Sequence, residues 1–272
     1  MTTPDDLPPN NEEPRAPEAA PAVPADIAVG TTPGAMEDAA PARPTPRRET
    51  AKDRFFANVK TIAGAVLLAM FIRIVLFEAF EIEGPSMMPT LLDGDRVVVA
   101  KFMYGLFFPG ADEALFTWGM PNVGDVIILK GKDGVDIVKR VIGLPGDIIN
   151  VEDDVVTRNG VRVTGARVGP CHYTEEPEHE LGCDWVRERV GNVTYTTSTD
   201  HIDTMAPTTV FPFRVPAGEV FVLGDHRDHS NDSRYFGSVS VHRIKGRALF
   251  IYWSSDKHSS RWRQERMFTS VR

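Results

Sequence analysis

Residues 136–151 read Asp-Ile-Val-Lys-Arg-Val-Ile-Gly-Leu-Pro-Gly-Asp-Ile-Ile-Asn-Val, two runs rich in β-branched residues on either side of a Gly-Leu-Pro-Gly turn. Such a pattern is typical of two short strands joined by a turn. Similar runs recur at 96–100, 125–129, 160–163, 218–223 and 246–252, and most have Gly, Pro, Asp or Asn near their ends. No stretch after residue 81 keeps a long 3.6-residue period. The sequence therefore predicts a mainly β domain.

The same segment contains two adjacent cations, Lys139 and Arg140. Because side chains alternate along a strand, they point to opposite faces, and one of them must point toward the core. Lysine is rarely buried without a reason. A buried amine loses solvation, so its pKa falls and it can act as a base near neutral pH. The alternative is a pair of strand-end cations in solvent.

Composition excludes several classes of protein. The chain has 272 residues, 42% hydrophobic and 25% charged, which is ordinary for a globular protein. Its net charge of −8 argues against binding nucleic acid through phosphate neutralisation. Residues 1–46 carry eight acidic and two basic residues and eleven of the 21 prolines, without apolar periodicity. We expect them to form a disordered, acidic cytoplasmic tail.

An apolar run follows that tail. The juxtamembrane segment, 47–60, is basic, and 61–80 is apolar apart from Arg73 and Glu78. Twenty helical residues span roughly 30 Å, the thickness of a bilayer core. With the basic flank on its N-terminal side, the positive-inside rule predicts a transmembrane helix with a cytoplasmic N-terminus and everything from residue 81 onward outside the cytoplasm. A buried core helix and a cleaved signal sequence are the alternatives.

The β region is interrupted by a less hydrophobic stretch, 154–214, which we interpret as an inserted β-rich subdomain. The catalytic domain is then formed by 81–153 and 215–272. Both cysteines, Cys171 and Cys183, lie in the insertion, and they are too few for a cysteine-rich scaffold or a four-cysteine zinc site. Outside the cytoplasm such a pair is expected to form a disulfide, with two free thiols as the alternative.

Two further segments could carry chemistry. Ser86 lies between Pro85 and a Met-Met-Pro sequence, so its hydroxyl is held on a rigid, non-helical backbone. Residues 224–237 read Gly-Asp-His-Arg-Asp-His-Ser-Asn-Asp-Ser-Arg-Tyr-Phe-Gly, a polar loop that could hydrogen-bond a buried lysine. Taken singly, the serine is an ordinary turn residue.

The polar loop also contains two weaker arrangements. A metal site would use His226 and His229 with three carboxylates, but no spacing among them matches a known site; those carboxylates are Asp225, Asp228 and Asp232. A Ser-His-Asp triad would use Ser230, His229 and Asp232. Near neighbours on one loop rarely converge on one atom, which argues against it.

In order along the chain, these segments resemble the conserved boxes of type I signal peptidases, membrane-bound Ser/Lys endopeptidases that remove signal peptides from exported proteins. The resemblance begins at the end of the apolar run, 71–80, and covers about 71–151 and 216–255. It includes the S-M-x-P-T-L box at 86–91, a strand at 124–129, the complete K-R-x-x-G-x-P-G-D box at 139–147 and the last box at 224–237.

The resemblance implies an antiparallel β-sheet protease domain in which Ser86 is the nucleophile and Lys139 the general base. Ser230 would orient the lysine amine, and Asp232 and Arg234 would form a supporting ion pair. Neither a cofactor nor a metal is implied, because a Ser/Lys dyad needs none.

Two positions depart from the family pattern. Gly84 replaces a serine that helps to bind the oxyanion in some members, so stabilisation would depend more on the Ser86 N–H. His226 replaces an asparagine. Met87 is expected to help form the small pockets for substrate side chains. The aromatic segment 102–109, with Phe116, Trp118 and Met120, could be ordinary core or an apolar rim resting on the membrane.

We therefore expect a monomeric, single-pass cell-membrane protein whose partners are the lipid bilayer and secretory preproteins, cleaved after small-x-small sites such as A-x-A. No nucleic acid is expected as a partner. A self-cleaving repressor-type Ser/Lys protease is the rival within enzymology. A membrane-tethered β domain that binds a partner without catalysis is the rival from another class.

Overall fold

The computed structural model describes residues 50–108, 110–152, 155–176, 179–201, 210–257, 259 and 261–272. The predicted acidic tail, 1–46, lies outside the described residues, as do Arg47 and Arg48 of the predicted basic segment.

An apolar helix opens the described chain. Helix α1 runs over Ala51–Phe71 and continues as a π-helical turn, Ile72–Leu76. The stretch Arg54–Phe71 has a mean hydropathy of 1.4, and none of it is buried, so by length and composition it could cross a membrane. The helix begins before the predicted start at residue 61. The last residues of the predicted span lie instead in a strand, Phe77–Glu81, because they pair with the next strand.

The remaining elements are mostly strands. In chain order they are β1 Phe77–Glu81, β2 Asp95–Ala100, β3 Gly105–Leu106, β4 Phe116–Thr117, β5 Val126–Lys130, β6 Asp136–Gly143, β7 Ile148–Glu152, β8 Val155–Arg158, β9 Val161–Arg162, β10 Thr164–Glu176, β11 His179–Val190, β12 Val193–Asp200, β13 Val210–Arg214, β14 Glu219–Leu223, β15 Val239–Ser240 and β16 Ile244–Ser254. A short helix, α2 (Ser233–Phe236), and two 3-10 turns, Lys101–Met103 and Val241–Arg243, lie between them, and a third 3-10 turn, Gln264–Arg266, follows the last strand.

The largest sheet is antiparallel and has the order β1-β2-β16-β5-β6-β14-β15. Its central strands are apolar on both sides because both faces are covered: Ile128 packs in one buried cluster with Val97, whereas Ile127 packs in another with Val141. This is why β5 reads as a continuous aliphatic run rather than an alternating one. The prediction of a mainly β, antiparallel domain behind one apolar helix is confirmed.

The region predicted as an insertion contains its own three-stranded sheet, in the order β10-β11-β12. Cys171 of β10 lies directly opposite Cys183 of β11, and the two form a disulfide, so the predicted pairing is present. A second small sheet, β13-β7-β8-β9, joins strands of the predicted insertion to β7, which lies outside it. The far end of β12 reaches the 224–237 loop, where Ser198 and His226 form a parallel β-bridge.

Candidate active site

The structure brings Ser86 and Lys139 together. Lys139 lies in β6, where it pairs with Ile127 of β5, and Ser86 lies in the turn formed by residues 84–90, hereafter the Ser86 turn. That turn is closed by a hydrogen bond from the Met88 N–H to the Pro85 carbonyl, 2.9 Å. The Lys139 Nζ donates a hydrogen bond of 3.0 Å to the Ser86 Oγ across 53 residues of sequence. A strand and a rigid turn therefore fix the positions of these two atoms.

The Lys139 amine is almost removed from water, with 3% of the residue exposed. Burial lowers the pKa of Lys139 from 10.5 to about 8, and Arg234 acts in the same direction against Asp232 and Asp225. Burial is the larger effect because it disfavours the charged form more than these carboxylates favour it. The amine can therefore be neutral at mildly alkaline pH.

Arg140 is buried as well, on the opposite face of β6. Its Nε and Nη2 donate to the two oxygens of Asp225 at 2.7 and 2.6 Å. Its guanidinium carbon also lies 4.1 Å from the centre of the Tyr195 ring. Strand alternation predicts that one of the two cations, Lys139 or Arg140, is buried. Both are buried because Arg140 has a bidentate carboxylate partner, which sequence alternation does not reveal.

Asp232 and Arg234 form an ion pair beside the dyad. The Arg234 Nε and Nη2 donate to the carboxylate at 2.9 and 3.0 Å, and the Gly224 N–H donates to it at 3.0 Å. Asp232 also caps α2. Burial would raise the pKa of Asp232, but Arg234 and the hydrogen bond from the Gly224 N–H hold it below its ordinary value. The carboxylate is thus kept ionised next to Lys139.

Ser230 is buried beside this pair, with 3% of the residue exposed. Its hydroxyl forms no hydrogen bond with any described residue, and the Lys139 amine is included in that statement. It packs instead against Gly224, where an added Cβ would lie 2.2 Å from the Ser230 Oγ and 2.6 Å from the Ser86 carbonyl oxygen. The loop and the Ser86 turn are therefore in close contact at this glycine.

Two cavities meet at the dyad, since Ser86 and Lys139 line both. One, of about 300 Å³, is bordered by apolar side chains that include Ile82, Met87 and Ile128. Met87 is 1% exposed and packs in the same buried cluster as Ile82 and Ile128. The other cavity, of about 700 Å³, is more polar and lies toward Tyr235 and the 130–133 turn. The reactive atoms are thus reachable from two sides.

Neither the metal site nor the Ser-His-Asp triad considered for the 224–237 loop is assembled from the residues named for it. Asp225 pairs with Arg140 and Asp232 with Arg234, so neither carboxylate faces the two histidines. His229 lies 2.7 Å from Asp200.

The histidines instead share one carboxylate from the insertion. The His226 Nε2 lies 2.8 Å from one oxygen of Asp200, and the Tyr173 hydroxyl donates to the other at 2.8 Å. One ligand atom each from Asp200, His226 and His229 falls within 4.8 Å of the others. Sequence reasoning missed Asp200 because it lies in a strand of the insertion, 26 residues before His226.

Part of the aromatic segment is buried in the core and part of it is exposed. Tyr104 and Phe107 are buried, and the Tyr104 hydroxyl donates to Asp125 at 2.9 Å. Several neighbours are exposed: Phe102, Phe108, Phe116, Trp118 and Met120. The segment therefore packs its base into the domain and presents an apolar surface to the outside.

A comparison with protein families matches residues 55–253 to a model described as signal peptidase, peptidase S26. Signal peptidase I of Haemophilus influenzae is 31% identical over 268 residues, covering 80% of this chain and 75% of that one. Signal peptidase I of Bacillus licheniformis is 35% identical over 205 residues, covering 74% and 90%. A solved signal peptidase I from Enterococcus faecalis is 27% identical, with a TM-score of 0.27, and covers 47% of this chain and 96% of that one.

Proposed function

The chain belongs to the type I signal peptidases, enzymes that remove signal peptides from preproteins, and from that premise we propose how it works and where. It is a membrane-bound serine endopeptidase with Ser86 as nucleophile and Lys139 as general base. The observation that carries this proposal is the 3.0 Å contact between the Lys139 Nζ and the Ser86 Oγ, made by an amine that is almost fully buried.

The reaction follows from that contact. The neutral Lys139 amine accepts the hydroxyl proton of Ser86 as the Oγ attacks the scissile carbonyl carbon, giving a tetrahedral oxyanion. When the C–N bond breaks, the Lys139 ammonium returns the proton to the leaving amine, which becomes the new N-terminus of the exported protein. Water then attacks the acyl-enzyme with Lys139 again as the base, and Ser86 recovers its proton.

The oxyanion requires a donor near Ser86. The Ser86 N–H donates no hydrogen bond to any described residue, Pro85 has no N–H, and the Gly84 N–H donates to Asp93 Oδ1 at 2.9 Å. This supports the Ser86 N–H as the main backbone donor for the oxyanion. One such donor is worth about a hundredfold to a thousandfold in rate.

Three residues of the 224–237 loop support the base. The Asp232–Arg234 pair fixes the backbone of the loop at Gly224, against which Ser230 packs. Among the described residues the Ser230 hydroxyl has no hydrogen-bond partner, so it is available to the Lys139 amine. We propose that Ser230 orients the Lys139 amine.

Substrate specificity is assigned to the apolar cavity of about 300 Å³ that borders Ser86. Met87 and Ile82 line this cavity beside Ser86, so an apolar substrate side chain that enters it would contact them. Small-x-small sites such as A-x-A are the cleavage signals of signal peptides. Cleavage after such a site places small residues beside the dyad.

We assign α1 and its flanks to the membrane. The helix carries exposed apolar residues along its length, including Val66, Leu67 and Leu68, and the exposed aromatic surface of Phe108, Phe116 and Trp118 would meet the interface. The N-terminus is cytoplasmic, and the monomeric catalytic domain, 81–153 and 215–272, lies outside the cytoplasm with its insertion.

The test is cleavage of a preprotein by the full-length enzyme in detergent. We expect Ser86→Ala and Lys139→Ala to remove product formation at the A-x-A site, since each lacks one reacting group. Lys139→Arg retains a cation but cannot act as a base near neutral pH, so it should be equally inactive. Lys101→Ala is the matched control, because that lysine is also buried but pairs with Glu78 and lines neither cavity at the dyad.

Persistent cleavage by any of the three dyad variants would overturn the assignment and direct attention to the rest of the 224–237 loop. If the enzyme cut only its own chain, the self-cleaving protease would be the better interpretation. A wild type that binds preproteins but leaves them whole would favour the tethered binding domain.

A further inference from the structure

The last residues of β12 lie against the 224–237 loop. The Ser198 N–H donates to the Asp225 carbonyl and the Ser198 carbonyl accepts from the Arg227 N–H, each at 2.9 Å. These two bonds bracket His226 and make the parallel bridge between the insertion and the 224–237 loop. The loop is therefore paired on one side by a strand that belongs to the insertion.

The same contact continues to the nucleophile. The His226 N–H donates to the Ser86 carbonyl at 3.1 Å, and the Ser198 hydroxyl donates to the Met88 carbonyl at 3.1 Å. Ser198 is fully buried, so these bonds are shielded from competing water. Ser198 thus touches both the loop that packs around Lys139 and the turn that carries Ser86.

Asp200 adds a side-chain anchor two residues further along. Its side chain is completely buried, accepts from the Tyr173 hydroxyl at 2.8 Å, and lies 2.8 Å from the His226 Nε2 and 2.7 Å from the His229 Nε2. Its own N–H donates to Asp228 Oδ2 at 2.7 Å. One carboxylate therefore secures both histidines of the 224–237 loop to the insertion.

We propose that Ser198 and Asp200 are positioning residues for the Ser86–Lys139 dyad, so that the insertion is a working part of the active site. The inference rests on the proposed function. The groups that act on Lys139 are Ser86, which it contacts, and Asp225, Asp232 and Arg234 of the loop, whose charges influence its amine. A loop released from β12 would admit water to the amine and would loosen the contact with Ser86.

A hydrogen-bonded anchor fits this cluster better than a metal site. The Nδ1 of His226 is buried and has no partner among the described residues. A metal on its Nε2 would require a proton on Nδ1, which would leave a buried N–H unpaired. With the proton on Nε2, as the contact with Asp200 requires, Nδ1 is only an unpaired acceptor.

The test compares Asp200→Asn and Ser198→Ala with Thr194→Ala, an exposed position on the same strand, in the full-length enzyme. Each is assayed for kcat and KM on a preprotein across about pH 6 to 10. We expect Asp200→Asn to lower kcat by about ten- to a hundredfold with little change in KM. The midpoint of the rising limb should move upward, because an exposed Lys139 regains part of its ordinary pKa. Ser198→Ala should show the same shift with a smaller loss, and Thr194→Ala should match the wild type.

The upward shift is the readout that a purely structural role would not produce, since fewer folded molecules lower kcat without moving its midpoint. The inference is overturned if both variants keep the wild-type midpoint, whatever their kcat. It is also overturned if Zn²⁺ binds tightly to the wild type and not to Asp200→Asn. If the wild type and Thr194→Ala cleave nothing, it is the proposed function that has failed, and the inference fails with it.

Discussion

Lys139 and Arg140 are neighbours in one strand, yet their environments differ in the feature that matters for chemistry. Arg140 has a bidentate partner in Asp225, which keeps it charged. Lys139 has no carboxylate within ion-pair distance among the described residues, and its close polar contact is the hydroxyl of Ser86. Burial without such a partner is what shifts a lysine toward its neutral form.

The first prediction concerns the pH dependence of cleavage. Because the pKa of Lys139 is lowered to about 8, only about a tenth of the amine is neutral at pH 7, and the neutral fraction grows as the pH rises. We expect kcat/KM to rise with pH and to level off above an apparent pKa near 8. A profile of kcat/KM in the wild type measures it. A midpoint near that of a solvated lysine would show that the amine is not buried in the working enzyme.

The second prediction concerns the cost of that burial. The folded-state pKa of Lys139 lies below the unfolded one, so the unfolded chain binds the proton more tightly, and the destabilisation is complete below pH 8. Lys139→Met should raise the free energy of unfolding at pH 7 by up to about 3 kcal/mol. The gain should shrink as the pH rises through 8 toward 10.5.

Denaturant unfolding of Lys139→Met at both ends of that range measures the difference. Ser86→Ala is the control, since it is inactive but keeps the lysine. An equal gain at both pH values would assign the effect to packing rather than to the buried charge.

The third prediction concerns Gly224, the point where the loop and the Ser86 turn touch. A Cβ there would lie 2.4 Å from the Ser230 Cβ and 2.6 Å from the Ser86 carbonyl oxygen, and backbone cannot yield cheaply. Gly224→Ala should therefore displace the nucleophile and lower kcat by about a hundredfold. Gly169→Ala, which meets no atom within 4 Å, is the matched control. Near-normal cleavage by Gly224→Ala would mean that the turn and the loop do not depend on this contact.

At the scale of elements, the disulfide that joins β10 and β11 lies next to Asp200. Cys183 of β11 is paired with Asp200 of β12 in the register of these two strands. The fourth prediction is that Cys171→Ser with Cys183→Ser lowers stability by about 3 kcal/mol, the chain-entropy value for so short a loop. Thermal unfolding with and without a reductant measures it. The reductant should lower the melting temperature of the wild type and leave the double variant unchanged. A reductant effect on both would place the sensitivity elsewhere.

The strands of the catalytic domain could be predicted closely from the sequence, since β5, β6 and β14 follow their β-branched runs to within a residue or two. The contact between Ser86 and Lys139 could be predicted from the boxes around them. The role of β12 could not be predicted. Ser198 contacts the 224–237 loop through its backbone, and Asp200 contacts histidines that lie 26 and 29 residues away. Contacts between an insertion and a distant loop leave no local periodicity. The strand Phe77–Glu81 could not be predicted either, because its sequence continues the apolar run that precedes it.

At the scale of the whole molecule, the distribution of charge and apolar surface argues for one orientation in the membrane. Lys52, Arg54 and Lys60 lie in the first half of α1, and the exposed apolar residues of the helix continue to Ile72. A basic flank stays in the cytoplasm because its translocation is disfavoured. In that orientation the proposed catalytic domain and its insertion would lie on the far side, where the disulfide of the insertion can persist.

The fifth prediction tests that orientation with single cysteines, for which the chain is suited because its two native cysteines are joined. Val161→Cys, at an exposed position, should react with a membrane-impermeant thiol reagent on spheroplasts. Lys52→Cys should react only after the membrane is permeabilised, because it lies on the cytoplasmic side. Labelling of Lys52→Cys alone would reverse the topology, and equal labelling of both without permeabilisation would mean that α1 does not cross the bilayer. The result also bears on the mechanism, since a dyad on the outer face meets its substrates where their signal peptides leave the membrane.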